Sequence, residues 1–322
     1  VHDFGALYAS MKNNGKSLAQ LIEKYIGKTG RRLFLLFCWL FCIIVIAAFT
    51  DMVCKTFMFT PAVDASGAAT GAIDFTKSYA AGCAGTISIL FTFVAMAFGW
   101  AQKKFNLTGA AEFVTGVVLM VLMFAVGMQF PVYLTKFQWF AVVMVYLVFA
   151  GAMPIQMLKT PRDYLTSIMM IVMIACAVLG IVVLGVHGQA TMTAPVFTGF
   201  SGASGMMFPV LFVSVACGAL SGFHSLVSSG TSSKQVEKEQ DAVKVGYGAM
   251  VVESFVGILA IIVAGIMFSD MNTAGTGALN AGVASTPFQI FAAGISRGMQ
   301  AFGVDGTLAT VFMTMCVSAL AL

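Results

Sequence analysis

Eight long apolar stretches, almost free of charge, constrain this chain more than any other feature of its sequence. Glu112 and Glu253 are the only charged residues within them. A helix needs about 20 apolar residues to cross the hydrocarbon core of a bilayer, where unpaired backbone groups are costly. The stretches are continuous rather than alternating, which favours helices over a barrel. The sequence therefore predicts an all-α polytopic membrane protein with about eight spans, at 33–49, 79–100, 112–130, 137–155, 167–186, 207–223, 246–268 and 307–322.

The distribution of Lys and Arg predicts the orientation of these helices. If the loop 11–32 is cytoplasmic, thirteen of the 17 Lys and Arg residues fall on the cytoplasmic side. Basic residues concentrate on that side of membrane proteins in general. The net charge of +4 is explained by this topology and by anionic lipid, and it requires no nucleic-acid partner.

The segments at the ends of the chain and between the first helices predict its organisation. Within 16–32, the residues Leu18, Leu21, Ile22 and Tyr25 recur at helical spacing between lysines, which predicts an amphipathic connector helix on the cytoplasmic surface. The opening "VHDFGALYASM" is typical of a helix already under way, and the sequence stops inside an apolar run. We expect 1–322 to form one transmembrane domain with further helices on both sides.

The residue types that bind metals form no motif here. The seven cysteines include no CxxC pair, and Cys38 and Cys42, one helical turn apart, suit small apolar packing better than ligation. The 22 methionines are not accompanied by clustered histidines. We predict no metal, no disulfide and no cofactor.

Few polar residues lie at membrane depth, where a charge costs about 3 kcal/mol and usually has a function. Glu253 is one, and two interpretations remain open. In the first, Glu253 takes up and releases a proton. In the second, it is a structural residue that is hydrogen-bonded to a nearby serine or backbone carbonyl. His2 and Asp3 are adjacent at the predicted cytoplasmic side, where an imidazole beside a carboxylate can hold or pass a proton near pH 7.

Residues 207–235 are unusually polar for a segment between apolar helices. Small residues recur there at helical spacing, which places them on one face: Ser214, Gly218, Ser221, Ser225, Ser228 and Ser232. Tight helix packing is one explanation of this stripe. The second is a helix broken at "GALSG", which frees backbone groups around a cavity or site and can bind a carboxylate. In that case His224 lines the site with the hydroxyls of Ser221, Ser225 and Ser228, and it binds a carboxylate or carries a proton.

The residues of this region also carry a family resemblance. "FPVLFVSVACGALSGFHSLVSSGTSSKQ", followed by "VGYGAMVVESF", resembles the signature region of the carbon starvation protein A family, and the opening "VHDFGALYASMKNNGKSLAQLIEKYIGK" is similar to an earlier segment of that family. The resemblance implies a bacterial inner-membrane transporter of pyruvate or peptides, driven by protons. It also implies the inverted-repeat, LeuT-like fold of amino acid-polyamine-organocation transporters. It adds Gly218, Gly222, Gly230 and Thr231 to the signature and places Glu253 in the next helix.

The sequence and the resemblance together predict a secondary transporter that couples uptake of a small carboxylate or a short peptide to protons. Two alternatives have different sequence requirements. A channel or receptor for the same nutrient would share these features. An intramembrane enzyme using His224 and Glu253 as acid and base would need a nucleophile, metal set or cofactor motif, and none accompanies them.

Overall fold

The computed structural model describes residues 2–63, 69–106, 108–192, 197, 199–202, 205–219, 222–272 and 286–321. The chain divides into two compact units, which we call unit 1 (Val1–Val45 and Pro195–Ile258) and unit 2 (Ile46–Ala194 and Leu259–Leu322). The α-helices in the described residues are α1 (His2–Lys12), α2 (Leu18–Tyr25), α3 (Lys28–Phe57), α4 (Phe75–Phe105), α5 (Ala110–Gln129), α6 (Lys136–Ala152), α7 (Ile155–Val186), α8 (Phe212–Ala219), α9 (Gly222–Gly230), α10 (Ala249–Asn272), α11 (Pro287–Ala301) and α12 (Gly306–Ala321).

Most of the apolar stretches form long helices. Among the described residues, five helices are long and apolar enough to cross a membrane, and they lie in α3, α4, α5, α7 and the segment Glu239–Met267. Three shorter apolar helices, Lys136–Ala152, Met207–Ala216 and Gly306–Ala321, cover the remaining predicted spans. In α3 only 6% of the most apolar window is buried within the protein, as expected for a lipid-facing helix. The fold is that of a helical membrane protein, and the number of crossings stays a prediction.

Some elements differ from the sequence prediction. Helix α7 begins at Ile155, well before the predicted 167, because Lys159, Arg162 and Asp163 continue the helix beyond its apolar part. Two short antiparallel hairpins were not predicted, since strands of two to five residues carry too little pattern. They pair β1 (Pro61–Val63) with β2 (Ala69–Ile73), and β3 (Ser201–Gly202) with β4 (Gly205–Met206).

Helix α11 was also missed, although its start carries a sequence signal. The backbone N–H of Gln289 donates to the Thr286 hydroxyl over 3.3 Å, and the Gln289 side chain accepts from the Thr286 N–H over 3.1 Å. This capping box, with Pro287 in the first turn, satisfies amides that a helix start leaves free. The helix escaped the hydropathy criterion because it is short and contains Arg297 and two glutamines.

The core of unit 2 is built where helices approach closely. Helix α4 packs against α5, α7 and α12, and α11 packs against α7 and α12. The indole of Trp139 is buried against Gly85, where an added Cβ would lie 2.5 Å from the ring. Gly180 of α7 and Gly298 of α11 face each other, and a Cβ on either would lie under 3 Å from the other's backbone, at 2.9 and 2.7 Å. Small residues thus set these helix spacings.

Unit 1 contains α1, α2, α8 and α9, and the first part of α10. Helix α1 packs against α9 and against the π-helical turn Lys244–Gly248 that precedes α10. At that contact, an added Cβ on Gly246 would lie 3.1 Å from the Cα of Phe4. This close approach brings the first turn of α1 near the helix that carries Glu253.

Candidate functional site

A cluster of buried serines joins α1 to α9. Ser10, Ser229 and Ser233 are buried, and the hydroxyl of Ser10 lies 2.9 Å from both the Ser229 carbonyl oxygen and the Ser233 hydroxyl. The Ser229 hydroxyl donates to the Ser225 carbonyl over 2.8 Å and accepts from the Leu18 amide over 3.2 Å. The cluster satisfies backbone and hydroxyl groups that would otherwise be buried without partners.

These contacts revise the predicted serine stripe. The buried face of this segment contains Ser225, Ser229 and Ser233, one every four residues, rather than Ser228 and Ser232, which are half-buried. Ser214 is exposed, and its hydroxyl donates within α8 and its preceding turn, to the Val210 carbonyl. The four-residue spacing was present in the sequence, but Ser10 on a distant helix decides which face is buried.

Ser229→Ala is expected to lower the stability of the protein by about 1–3 kcal/mol, because it removes one bond and leaves the Leu18 amide without its acceptor. The measurement is the thermal unfolding midpoint of purified protein in detergent. Ser232→Ala is the matched control, since its half-buried hydroxyl makes no hydrogen bond in the described part of the chain. Equal midpoints for the two variants would show that the cluster does not stabilise this contact.

Two carboxylates converge on one imidazole at the start of α9. The Nδ1 atom of His224 lies 3.5 Å from Asp3 Oδ2 and 3.4 Å from Glu253 Oε2. Asp3 comes from the first turn of α1, and Glu253 from α10, so three helices contribute. The Asp3 side chain is only 14% exposed, against 39% for His224 and 46% for Glu253. We call these residues, with His2, the carboxylate–imidazole cluster.

A second imidazole adjoins the same carboxylate. His2 Nδ1 lies 3.2 Å from Asp3 Oδ1, so Asp3 contacts one histidine with each oxygen. The Ser225 hydroxyl lies 3.1 Å from Nδ1 and 3.2 Å from Nε2 of His2. The structure therefore brings together His2, Asp3, His224, Ser225 and Glu253 within unit 1.

The other predicted site residues are not part of the carboxylate–imidazole cluster. Gly218 lies near the end of α8 and Gly222 begins α9, whereas Ser221 lies outside the described residues. Ser228 and Thr231 are half-buried, and among the described residues their hydroxyls form no hydrogen bond with the cluster. Because residues 220–221 are not described, the helix break at "GALSG" stays a prediction.

The cluster has the residue types of a cation site as well as those of a proton site. The ligand atoms of Asp3, His224 and Glu253 lie within 4.8 Å of one another. Proximity alone does not establish a metal site, because a carboxylate–imidazole–carboxylate contact has similar spacing. The prediction that the chain binds no metal stays a prediction.

The five long apolar helices among the described residues define a multi-pass membrane protein. The chain belongs to the carbon starvation protein CstA family, whose sequence profile matches residues 1–281. The resemblance inferred from the signature segments is thereby confirmed. No solved structure matches the chain.

Curated relatives are similar over most of this chain. The peptide transporter CstA of Escherichia coli (strain K12) is 29% identical over 83% of the chain and 36% of its own length. The pyruvate/proton symporter BtsT of the same organism is 30% identical over 85% of the chain and 37% of its own. The peptide transporter CstA of Helicobacter pylori (strain J99) is 32% identical over 83% and 37%. The chain thus spans little more than a third of these relatives' length.

Proposed function

We propose that the chain is part of a secondary transporter that couples protons to uptake of pyruvate or short peptides across the bacterial inner membrane. Membership of the CstA family supports this proposal, as do the relatives named as peptide transporters and as a pyruvate/proton symporter. The observation that carries it is the convergence of Asp3 and Glu253 on His224, with His2 alongside.

The charge of the cluster gives it a reason to bind protons. With both histidines neutral, the two carboxylates leave two negative charges within a few ångströms of each other. One proton on His224 places a cation between the carboxylates, and a second on His2 makes the cluster neutral. Charges near one another in a partly desolvated site interact strongly, so each proton changes the local field substantially.

The charge of the cluster also couples proton binding to substrate binding. Pyruvate and peptides carry a carboxylate, which the unprotonated cluster repels and the protonated cluster accepts. Linkage is reciprocal, so a proton that favours substrate binding is itself bound more tightly when substrate is present. We propose that protons bind first and that Ser225, with Gly218, Ser221, Gly222, Ser228 and Thr231 of the signature, contributes to substrate binding.

The proposed transporter has about eight membrane spans in this chain, arranged as part of a LeuT-like inverted-repeat fold. In this architecture, the helix near "GALSG" is broken at membrane depth. The loop 11–32, which contains the connector 16–32, lies on the cytoplasmic side in this arrangement. The short helix α2 at Leu18–Tyr25 suits such a connector.

The proposed role is transport rather than catalysis. Ser225, His2 and Asp3 contain the residue types of a nucleophilic triad, but their geometry differs from one. The Ser225 hydroxyl is equally far from both ring nitrogens, at 3.1 and 3.2 Å. An oxygen in line with the lone pair of one nitrogen lies much further from the other, so His2 is poorly placed to activate this hydroxyl.

The experiment that tests the function is uptake by the complete protein in proteoliposomes. Labelled pyruvate is expected to accumulate above equilibrium when an inward proton gradient is present, and a protonophore should abolish that accumulation. Unlabelled di- and tripeptides added as competitors identify the substrate class. Equilibration without accumulation would indicate a channel, and binding without flux would indicate a receptor.

A further inference from the structure

A basic cavity lies in unit 2, whereas the carboxylate–imidazole cluster belongs to unit 1. Its volume is about 410 Å³, and it is lined by residues from the end of α6, the start of α7 and the end of α12. Part of the wall is apolar, with Ala150, Leu158 and Leu320, whereas Lys159 and Arg162 supply positive charge. Both basic residues are on the predicted cytoplasmic side.

Arg162 is held rigidly by neutral groups. Its guanidinium donates to the Tyr146 hydroxyl and, over 3.1 Å, to the Ala319 carbonyl oxygen. Its central carbon also lies 5.8 Å from the ring centroids of Phe91 and Tyr146. A guanidinium has five N–H groups, so donors remain after these bonds, and a fixed planar fork is well suited to an oxyanion.

The charge of the cavity is not balanced by the described residues. Arg162 forms no ion pair with any carboxylate there, and the one acidic residue of the lining, Asp163, leaves a net single positive charge with Lys159 and Arg162. Charges within membrane-spanning segments are normally paired. A ligand with one negative charge would complete the pairing.

We propose that this cavity binds an anionic phospholipid from the cytoplasmic leaflet, with its phosphate at Arg162 and Lys159. The apolar wall formed by Ala150, Leu158 and Leu320 would then contact the first part of an acyl chain. Basic pockets between membrane helices on the cytoplasmic side commonly bind such headgroups. A soluble oxyanion such as phosphate or pyruvate shares the charge but gains nothing from the apolar wall, so the lining favours a lipid.

The test is lipid binding by the complete protein, measured with native mass spectrometry in detergent. Phosphatidylglycerol is titrated against the protein, with zwitterionic phosphatidylethanolamine as the comparison. Inorganic phosphate and pyruvate are added as competitors. We expect tight binding of phosphatidylglycerol, weaker binding of phosphatidylethanolamine, and little competition from either soluble anion. Competition by phosphate or pyruvate at equal concentration would overturn the lipid assignment and indicate a site for soluble oxyanions.

Variants of the basic residues distinguish lipid binding in this cavity from lipid binding elsewhere on the protein. Lys159→Gln should weaken phosphatidylglycerol binding about fivefold, and Arg162→Gln about tenfold. Because Arg162 also contacts neighbouring helices, the Lys159 variant keeps the test informative if the Arg162 variant fails to fold. The Lys159 side chain is exposed and forms no hydrogen bond or ion pair in the described chain. Lys103→Gln, exposed on the same predicted side but outside the cavity, is the matched control. Equal affinities for Lys159→Gln and Lys103→Gln would overturn the proposal.

Discussion

Glu253→Gln is expected to abolish uptake against a gradient while preserving exchange of substrate across the membrane. Glutamine is uncharged, as protonated glutamate is, so the variant should still bind and exchange substrate. It cannot release a proton, so the empty carrier cannot complete a proton-driven cycle. We expect proton-driven accumulation in proteoliposomes to fall to the equilibrium level, because a carrier that cannot release the proton cannot use the gradient. Counterflow, measured with substrate on both sides and no proton gradient, should remain close to wild type.

The counterflow measurement separates coupling from folding. Loss of both activities would mean that Glu253 holds the structure together, and unchanged accumulation would mean that the proton is carried elsewhere. His224→Ala should also abolish accumulation, because it removes the imidazole that lies between the Asp3 and Glu253 carboxylates. His187→Ala is the matched histidine control. Among the described residues, the His187 ring has a hydrogen-bond contact with the Val183 carbonyl oxygen alone, at the end of α7. We expect uptake by this variant to be normal.

Gly298→Ala is expected to lower the stability of the protein strongly. The new Cβ would lie 2.7 Å from the Cα of Gly180, and backbone atoms cannot move aside as a flexible side chain can. The helices α7 and α11 would have to separate, which should cost more than about 2 kcal/mol. A lower unfolding midpoint and reduced yield of monodisperse protein in detergent are the expected results.

The matched control for this variant is Gly185→Ala, on the same helix α7 as Gly180. Apart from its chain neighbours and the backbone of its own helix, no atom of the described residues lies within 4 Å of the Cβ position there, so the added methyl group has room. Its unfolding midpoint should equal that of the wild type. An unchanged midpoint for Gly298→Ala would show that α7 and α11 are not in close contact in the membrane.

Hydropathy was sufficient to locate the long helices, but it did not give the residues at which they begin and end. The bilayer requires about 20 apolar residues per crossing, and this requirement is local, so a continuous run such as that of α5 can be recognised without knowledge of its neighbours. Helix α11 fails the same criterion because it is short and partly polar. Its capping box at Thr286 and Gln289 is a local signal of another kind, which hydropathy does not detect.

The candidate site was predicted as a set of residue types rather than as a geometry. Glu253 was selected because a charge is costly at membrane depth. His2, Asp3 and His224 were selected because an imidazole, alone or beside a carboxylate, can bind or pass a proton. Their distances depend on the contact of α1 with α9 and with the turn before α10, which involves residues more than 200 positions apart. The same contact decides that Ser229 and Ser233, rather than Ser228 and Ser232, are buried.

The sequence by itself determined the membrane class, the family and the polar residues that deserve testing, because each follows from local composition or from a continuous motif. Tertiary structure alone decided that Asp3 and Glu253 share one imidazole, that Arg162 forms no ion pair in the described chain, and that Gly180 meets Gly298. The physical reason is that these are pairwise contacts between distant segments. Such contacts depend on helix packing at ångström precision, which periodicity and hydropathy do not encode.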